Sequence, residues 1–202
     1  MTPESALPPI HDLRRYIRWY DQALAPELCS QMLESFHRLS RFHTRNGRGI
    51  RPGLDGSAWT ELDITPLSDE GFQRFFYHQI ETYLARYNAE IGLGIAVPPT
   101  PLLAELRIKR YAAGVNEGFQ PHFDSINEVA DRYLVFLWYL NDVTEGGETE
   151  FTDLGLRVQA RTGRLLIFPP FWMYQHAGLP PRSNDKYIIS TYLRFPAAPV
   201  GR

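Results

Sequence analysis

Hydrophobic and polar positions divide the chain into two unequal parts. In residues 24–40, LAPELCSQMLESFHRLS, the apolar side chains Leu24, Leu28, Met32, Leu33, Phe36 and Leu39 fall near helical spacing. Ala25 and Pro26 open that helix, proline being suited to a first turn. Residues 68–90, SDEGFQRFFYHQIETYLARYNAE, repeat the pattern. There Ser68 is the expected N-cap, with Asp69 and Glu70 in the first turn. Between the two helices, residues 44–58, TRNGRGIRPGLDGSA, hold four glycines, a proline and four charged side chains. This stretch predicts a long mobile loop that could close over a site.

From about residue 102 the period shortens to two. The runs LLAELRIKRY, RYLVFLWYLNDV, GETEFTDLGLRVQA, GRLLIFPP and KYIISTYLRF are rich in branched and aromatic residues and broken by Gly, Pro, Asn and Asp. They predict a β core of seven or eight strands. Residues 1–100 are then a helical support region with its mobile loop, and residues 101–202 the β core, both within one domain.

Composition narrows the function classes. The 202 residues are 44% hydrophobic, enough for one sizeable core. With 21 basic and 23 acidic side chains the net charge is −2, so no overall field favours nucleic acid or an anionic membrane. The single cysteine, Cys29, excludes an internal disulfide and a multi-cysteine zinc site. The N-terminal stretch has no basic start followed by an apolar run, and no segment has 18 uninterrupted apolar residues. A soluble cytoplasmic protein is expected; the oligomeric state is not legible.

The candidate chemistry lies in PHFDS, residues 121–125. On an extended segment His122 and Asp124 share a face and can point at one ion. Composition alone produces His-x-Asp too readily for the pair to mean much by itself. The only later histidine is His176, in FWMYQHAGLPP, some fifty residues of β structure downstream. Two histidines and one carboxylate are what a facial triad requires: three ligands on one octahedral face and three positions left open. A histidine hydrogen-bonded to backbone at a strand end is the plainer alternative for His176. Ten residues on, Lys186 opens the strand KYIISTYL. A lysine inside an apolar barrel needs a carboxylate partner, and a dicarboxylate cosubstrate would supply one.

Five segments in order, RYAAGVNEGFQPHFD, RYLVFLWYLNDV, EGGETEF, GRLLIFPP and HAGLPPRSNDKYIISTYL, resemble the prolyl 4-hydroxylase-like branch of the Fe(II)- and 2-oxoglutarate-dependent dioxygenases. The resemblance covers roughly residues 105–195. It implies a mainly β (α+β) fold, a double-stranded β-helix or jelly roll with the N-terminal helices packed on one sheet. It further implies His122, Asp124 and His176 as iron ligands and catalytic centre, and Lys186 as partner of the distal carboxylate of 2-oxoglutarate. Tyr111, Tyr139 and Ser190 match positions beside the cosubstrate. Fe(II), 2-oxoglutarate and O2 are the implied cofactors and cosubstrates, with ascorbate as an accessory reductant.

The implied reaction hydroxylates a C–H bond of a peptidyl residue and releases succinate and CO2. Because Asp124 is present no halide position opens, and hydroxylation is favoured over halogenation. Two departures touch the substrate more than the cosubstrate: Phe119 stands three before the first ligand where tyrosine is frequent, and Tyr187 follows the lysine where tryptophan is usual. The segment between Tyr111 and His122 is also longer than in many prolyl hydroxylases. Arg107 and Lys109 share parity with Tyr111 and could meet an acidic or carboxylate-bearing substrate. Trp172, Tyr174 and Tyr192 are candidates for the pocket floor.

A free amino acid, a small metabolite or a catalytically silent sensor stay open as alternatives. A zinc hydrolase would leave Lys186 unexplained. A cupin-type barrel would show His-x-His with a glutamate. A nucleic-acid demethylase of the superfamily would be more basic, with arginines after the last histidine.

Overall fold

The computed structural model describes residues 8–99 and 104–196. The readings that fall on residues 1–7, on Leu102 and Leu103, and on the last six residues lie outside that range. The elements run β1 (Arg18–Tyr20), α1 (Pro26–Arg38), β2 (Thr44–Gly47), β3 (Ala58–Asp63), α2 (Glu70–Ile91), β4 (Arg107–Tyr111), β5 (Phe119–His122), β6 (Arg132–Tyr139), β7 (Thr149–Phe151), β8 (Leu156–Val158), β9 (Leu165–Phe168), β10 (His176–Gly178) and β11 (Lys186–Arg194). A seven-stranded sheet, β1-β9-β6-β11-β4-β3-β2, faces a four-stranded one, β5-β10-β7-β8. Every strand pair is antiparallel. This is the jelly-roll arrangement of two facing sheets, with two helices added on the outside.

The period-two pattern explains why there are two apolar layers. Along β6, Leu134, Phe136 and Trp138 point to the helices, whereas Val135, Leu137 and Tyr139 point between the sheets. Along β11, Tyr187 and Ile189 join the helix layer and Ile188 the inner one. α1 contributes Cys29, Met32 and Phe36 to the outer layer; α2 contributes Phe76, Ile80, Leu84, Tyr87 and Ile91, a stripe of period close to four. α2 stops at Gly92, whose φ of 65° is the left-handed conformation that glycine adopts without steric cost. The long sheet is therefore buried on both faces, and the site-bearing cavity lies on its inner face.

Three expectations need correction. The N-cap of α2 is Asp69, which accepts from the Phe72 amide at 2.8 Å; the Ser68 hydroxyl turns back to the Thr65 carbonyl. A carboxylate beside the helix dipole is the better acceptor. Residues 44–58 are not one long loop. Thr44–Gly47 is a strand paired with β3, and the turn beyond it is held by Arg48 N to Ser57 O and by Gln120, which bonds both Gly53 and Gly56. Finally, the helical support region supplies β1, β2 and β3 to the large sheet, with β3 paired directly to β4. Short polar strands such as Thr-Arg-Asn-Gly carry no alternation that would announce them.

Candidate active site and metal centre

β5 and β10 bring the two histidines together. They are antiparallel neighbours with His122 opposite His176, and an irregularity in register follows immediately. Asp124 lies just past the end of β5, where its amide and that of Ser125 both donate to the Pro170 carbonyl at 3.0 and 3.1 Å. The proline pair after β9 thus anchors the carboxylate. Asp124 Oδ1 is 3.5 Å from His122 Nε2, and Oδ2 is 3.4 Å from His176 Nε2. All three sets of donor atoms lie within 4.8 Å of one another.

The donor set suits a divalent ion. An ion with ligand distances of about 2.0–2.2 Å has neighbouring donors about 3 Å apart, close to the observed separations. Each histidine donates Nδ1–H to a backbone carbonyl, Gln120 O at 2.9 Å and Tyr174 O at 3.1 Å, which leaves both Nε2 lone pairs turned to the site. Burial, reinforced by His122, pushes His176 down to about 4, so it is neutral at pH 7 as a ligand must be. Burial would raise the Asp124 carboxyl, but the neighbouring His122, His176 and Lys109 together outweigh it and hold the group well below the usual carboxylate range. The Tyr192 hydroxyl donates to Asp124 Oδ1 at 3.2 Å.

The same cavity is lined by Lys186, Tyr111, Thr149, Ser190, Ile188 and Lys109, among others. Lys186 is 1% exposed and makes no hydrogen bond or ion pair among the described residues; its Nζ lies 5.5 Å from the ring centres of both Tyr111 and Tyr139. Burial pulls its pKa down to about 7, against a weaker opposing pull from Glu148. Ser190 Oγ is buried without a hydrogen-bond partner among the described residues. A cation and a hydroxyl without partners among the described residues, in the cavity of the candidate triad, would suit an anionic ligand.

Other candidates sit differently. Tyr139 is fully buried and outside the cavity lining: its hydroxyl donates to Thr149 Oγ1 at 2.7 Å, so it stands behind Lys186, and Thr149 is the residue that reaches the cavity. Tyr111 lines the cavity directly, opposite Lys186 in β4. Trp172 is 65% exposed and lines neither chamber, while Tyr174 is buried in the inner core. Trp172–Tyr174 is a single 3-10 turn, which fans successive side chains by about 120° and sends the tryptophan to solvent. Tyr192 does line the cavity.

The cavity continues into an outer chamber that shares Lys109, Phe119, Asp124, Ser190 and Tyr192 and adds Arg107. Arg107 donates to Glu61 Oε1 at 2.9 Å. Phe119 stacks between Trp59 and His122, with ring centres 4.8 and 4.0 Å away. Glu61, Thr149 and Arg132 were not singled out in the sequence. Arg132 is in the outer chamber because the β6–β11 register shifts between Leu193 and Arg194, reversing the parity of the strand end.

A jelly roll with a converging His-x-Asp and His set is thus the class that fold and site define. Residues 106–194 match the family model of the 2OG-Fe(II) oxygenase superfamily. A protein of Acanthamoeba polyphaga mimivirus, provisionally named prolyl 4-hydroxylase, is 28% identical over 109 residues, 45% of this chain and 44% of the viral protein. The chain therefore matches less than half the length of that curated relative. The crystal structure of a Pseudomonas putida prolyl-4-hydroxylase superposes with a TM-score of 0.67 at 16% identity, covering 93% of this chain and 97% of that one. A Trichoplax adhaerens prolyl hydroxylase, solved in complex with a hypoxia inducible factor oxygen degradation domain peptide fragment, gives 0.70 at 16% identity, covering 92% and 86%. Over residues 106–194 the chain is thus similar to the 2OG-Fe(II) oxygenase superfamily, and it shares its fold with solved prolyl hydroxylases. Among the described residues no helix is long and apolar enough to cross a membrane.

Proposed function

We propose that this protein is an Fe(II)- and 2-oxoglutarate-dependent hydroxylase acting on a peptidyl residue in the manner of a prolyl hydroxylase. The observation that carries this reading is the single cavity holding the convergent triad together with the unpaired Lys186 ammonium. His122, Asp124 and His176 would hold the iron. Lys186 and Ser190 would receive the distal carboxylate of 2-oxoglutarate, with Tyr111 beside it and Tyr139 fixing the wall through Thr149. With both bound, the centre supplies an oxidation in which O2 and 2-oxoglutarate become succinate and CO2 and one oxygen atom enters a substrate C–H bond.

The chain's own groups orient and shield that chemistry. The backbone acceptors on both Nδ1 atoms hold the imidazoles in the ligating tautomer. Tyr192 restrains Oδ1 of Asp124, and the Pro170 carbonyl restrains its backbone. Phe151 and Phe168 pack on His176 and keep water from its far side. The peptide class draws on the Trichoplax neighbour, which binds a peptide. Ascorbate is an accessory reductant in this reading, and the cytoplasm its compartment. Anaerobic incubation with Fe(II), 2-oxoglutarate and peptide and metabolite pools, followed by air, should yield succinate and a product heavier by one oxygen atom. Absence of succinate under these conditions refutes the reading.

A further inference from the structure

Of the four cationic side chains lining the outer chamber, Arg51 is exposed and Arg107 is paired with Glu61, which leaves Lys109 and Arg132 unused by the proposed reaction. Lys109, on β4, lines both chambers. Its Nζ makes no hydrogen bond or ion pair among the described residues and lies 5.9 Å from the ring centres of Trp59 and Phe119. Glu61 stands directly opposite it in β3 and would be its natural partner. That carboxylate is already committed: Oε1 accepts from Arg107 at 2.9 Å and Oε2 from the Trp59 indole at 2.7 Å. Asp124 is committed to the triad.

Arg132 is the second cation. Its guanidinium stacks on the Tyr192 ring at 3.8 Å, and its Nε is buried with no hydrogen-bond partner among the described residues. Unpaired donors held out of water destabilise a fold unless something binds them. Two cations on one chamber without an acceptor form a donor pair that lacks its anion. The remaining acidic side chain of the chamber, Glu105, is exposed and lies 3.9 Å from Arg107.

Resting on the oxygenase reading, we propose that the primary substrate carries a carboxylate beside the C–H bond to be hydroxylated, and that Lys109 and Arg132 bind that carboxylate in the outer chamber. Two sources supply such a group: an acidic side chain next to the target residue of a peptide, or the terminal carboxylate of the target residue itself. The aromatic wall of Trp59 and Phe119 would pack the ring or stem of the residue that carries the bond.

The test uses the full chain loaded with Mn(II) and an inert 2-oxoglutarate analogue. Three probes are titrated calorimetrically: an end-blocked peptide containing Pro-Glu, its Pro-Gln counterpart, and a peptide ending in proline with a free carboxylate. At least one carboxylate probe should bind about tenfold or more tightly than the Pro-Gln peptide, and which one identifies the source. Lys109→Met and Arg132→Gln should each remove most of that preference while leaving the analogue's affinity within about threefold; Lys109→Arg should keep it. Thermal melts establish that each variant is folded.

Equal binding of all three probes, including no binding by any, overturns the proposal. So does a Lys109→Met protein that loses the analogue rather than the preference, since Lys109 would then serve the cosubstrate. If the unmodified protein binds no analogue and forms no succinate, the oxygenase reading falls and takes this proposal with it. Analogue binding without carboxylate preference removes this proposal alone.

Discussion

Replacing Lys186 separates the proposed cosubstrate pocket from the proposed metal site. Its side chain is 1% exposed, and burial moves it from 10.5 to about 7, equivalent to about 5 kcal/mol against the charged form. Burial is why Lys186 holds its proton weakly, and an anion arriving at Nζ would offset that penalty. In Lys186→Met the stem is kept and the ammonium lost, so the distal carboxylate of 2-oxoglutarate enters a dry pocket with Ser190 Oγ as its chief donor. Stranding a buried charge in this way costs about 2–5 kcal/mol, or roughly 30- to 4,000-fold in affinity. The triad shares no hydrogen bond with Lys186, so iron affinity should stay within about twofold. The assay is the 2-oxoglutarate dependence of succinate formation, with Fe(II) binding titrated separately under anaerobic conditions. Wild-type dependence on 2-oxoglutarate in the variant, or loss of iron instead, would refute the assignment.

Further expectations follow from the same geometry. 2-Oxoglutarate affinity should be flat below pH 7 and fall by up to about tenfold per pH unit above it, because Lys186 must then take up a proton on binding; calorimetry in buffers of different ionisation enthalpy should show uptake approaching one proton near pH 8. The ligand-free fold should gain stability from about pH 7 towards 10.5, where the unfolded chain still holds the proton that folded Lys186 has lost. Gly118→Ala would place a Cβ 2.6 Å from the Gly178 carbonyl, forcing β5 from β10, and should weaken iron binding by about tenfold or more in the same titration. Tyr139→Phe strands Thr149 Oγ1 and should cost about 1 kcal/mol of stability in a denaturant melt, while changing 2-oxoglutarate affinity far less than Lys186→Met. Amides of the β2–β3 turn should exchange more slowly when substrate joins iron and an inert 2-oxoglutarate analogue, and Gln120→Ala should abolish that slowing by releasing Gly53 and Gly56.

Legibility in the sequence tracked how strongly burial constrains the pattern. β6 and β11 are covered on both faces, and their runs of branched and aromatic residues could be read as strands without help. The stripe of α2 was legible within residues 68–90, where Phe76, Ile80, Leu84 and Tyr87 fall. β1 and β2 are three and four residues long, and each lies at an edge of the large sheet. What places them is pairing with β9 and β3, a partner's property that their own residues do not encode. The glycines of 44–58 were legible as turn formers, but the tether from Gln120, more than sixty residues away, was not.

The site divides along the same line. His122, Asp124, His176 and Lys186 stood out because each is a costly residue in an apolar setting, and the spacing between them is the spacing of the strands that carry them. Lys109 had the parity but no visible reason to be unpaired, since Glu61 stands opposite it. The reason is a three-body arrangement: Arg107 and Trp59 both draw on Glu61, and Lys109 is left over. Arg132 enters the chamber only through the register shift near Arg194. The groups proposed to hold the metal and the cosubstrate are thus specified by local pattern, whereas groups proposed to choose the substrate depend on competition among neighbours and on one irregularity in a strand. Substitutions at Glu61, Trp59 or the β6–β11 register can therefore re-aim the outer chamber without disturbing a ligand of the triad.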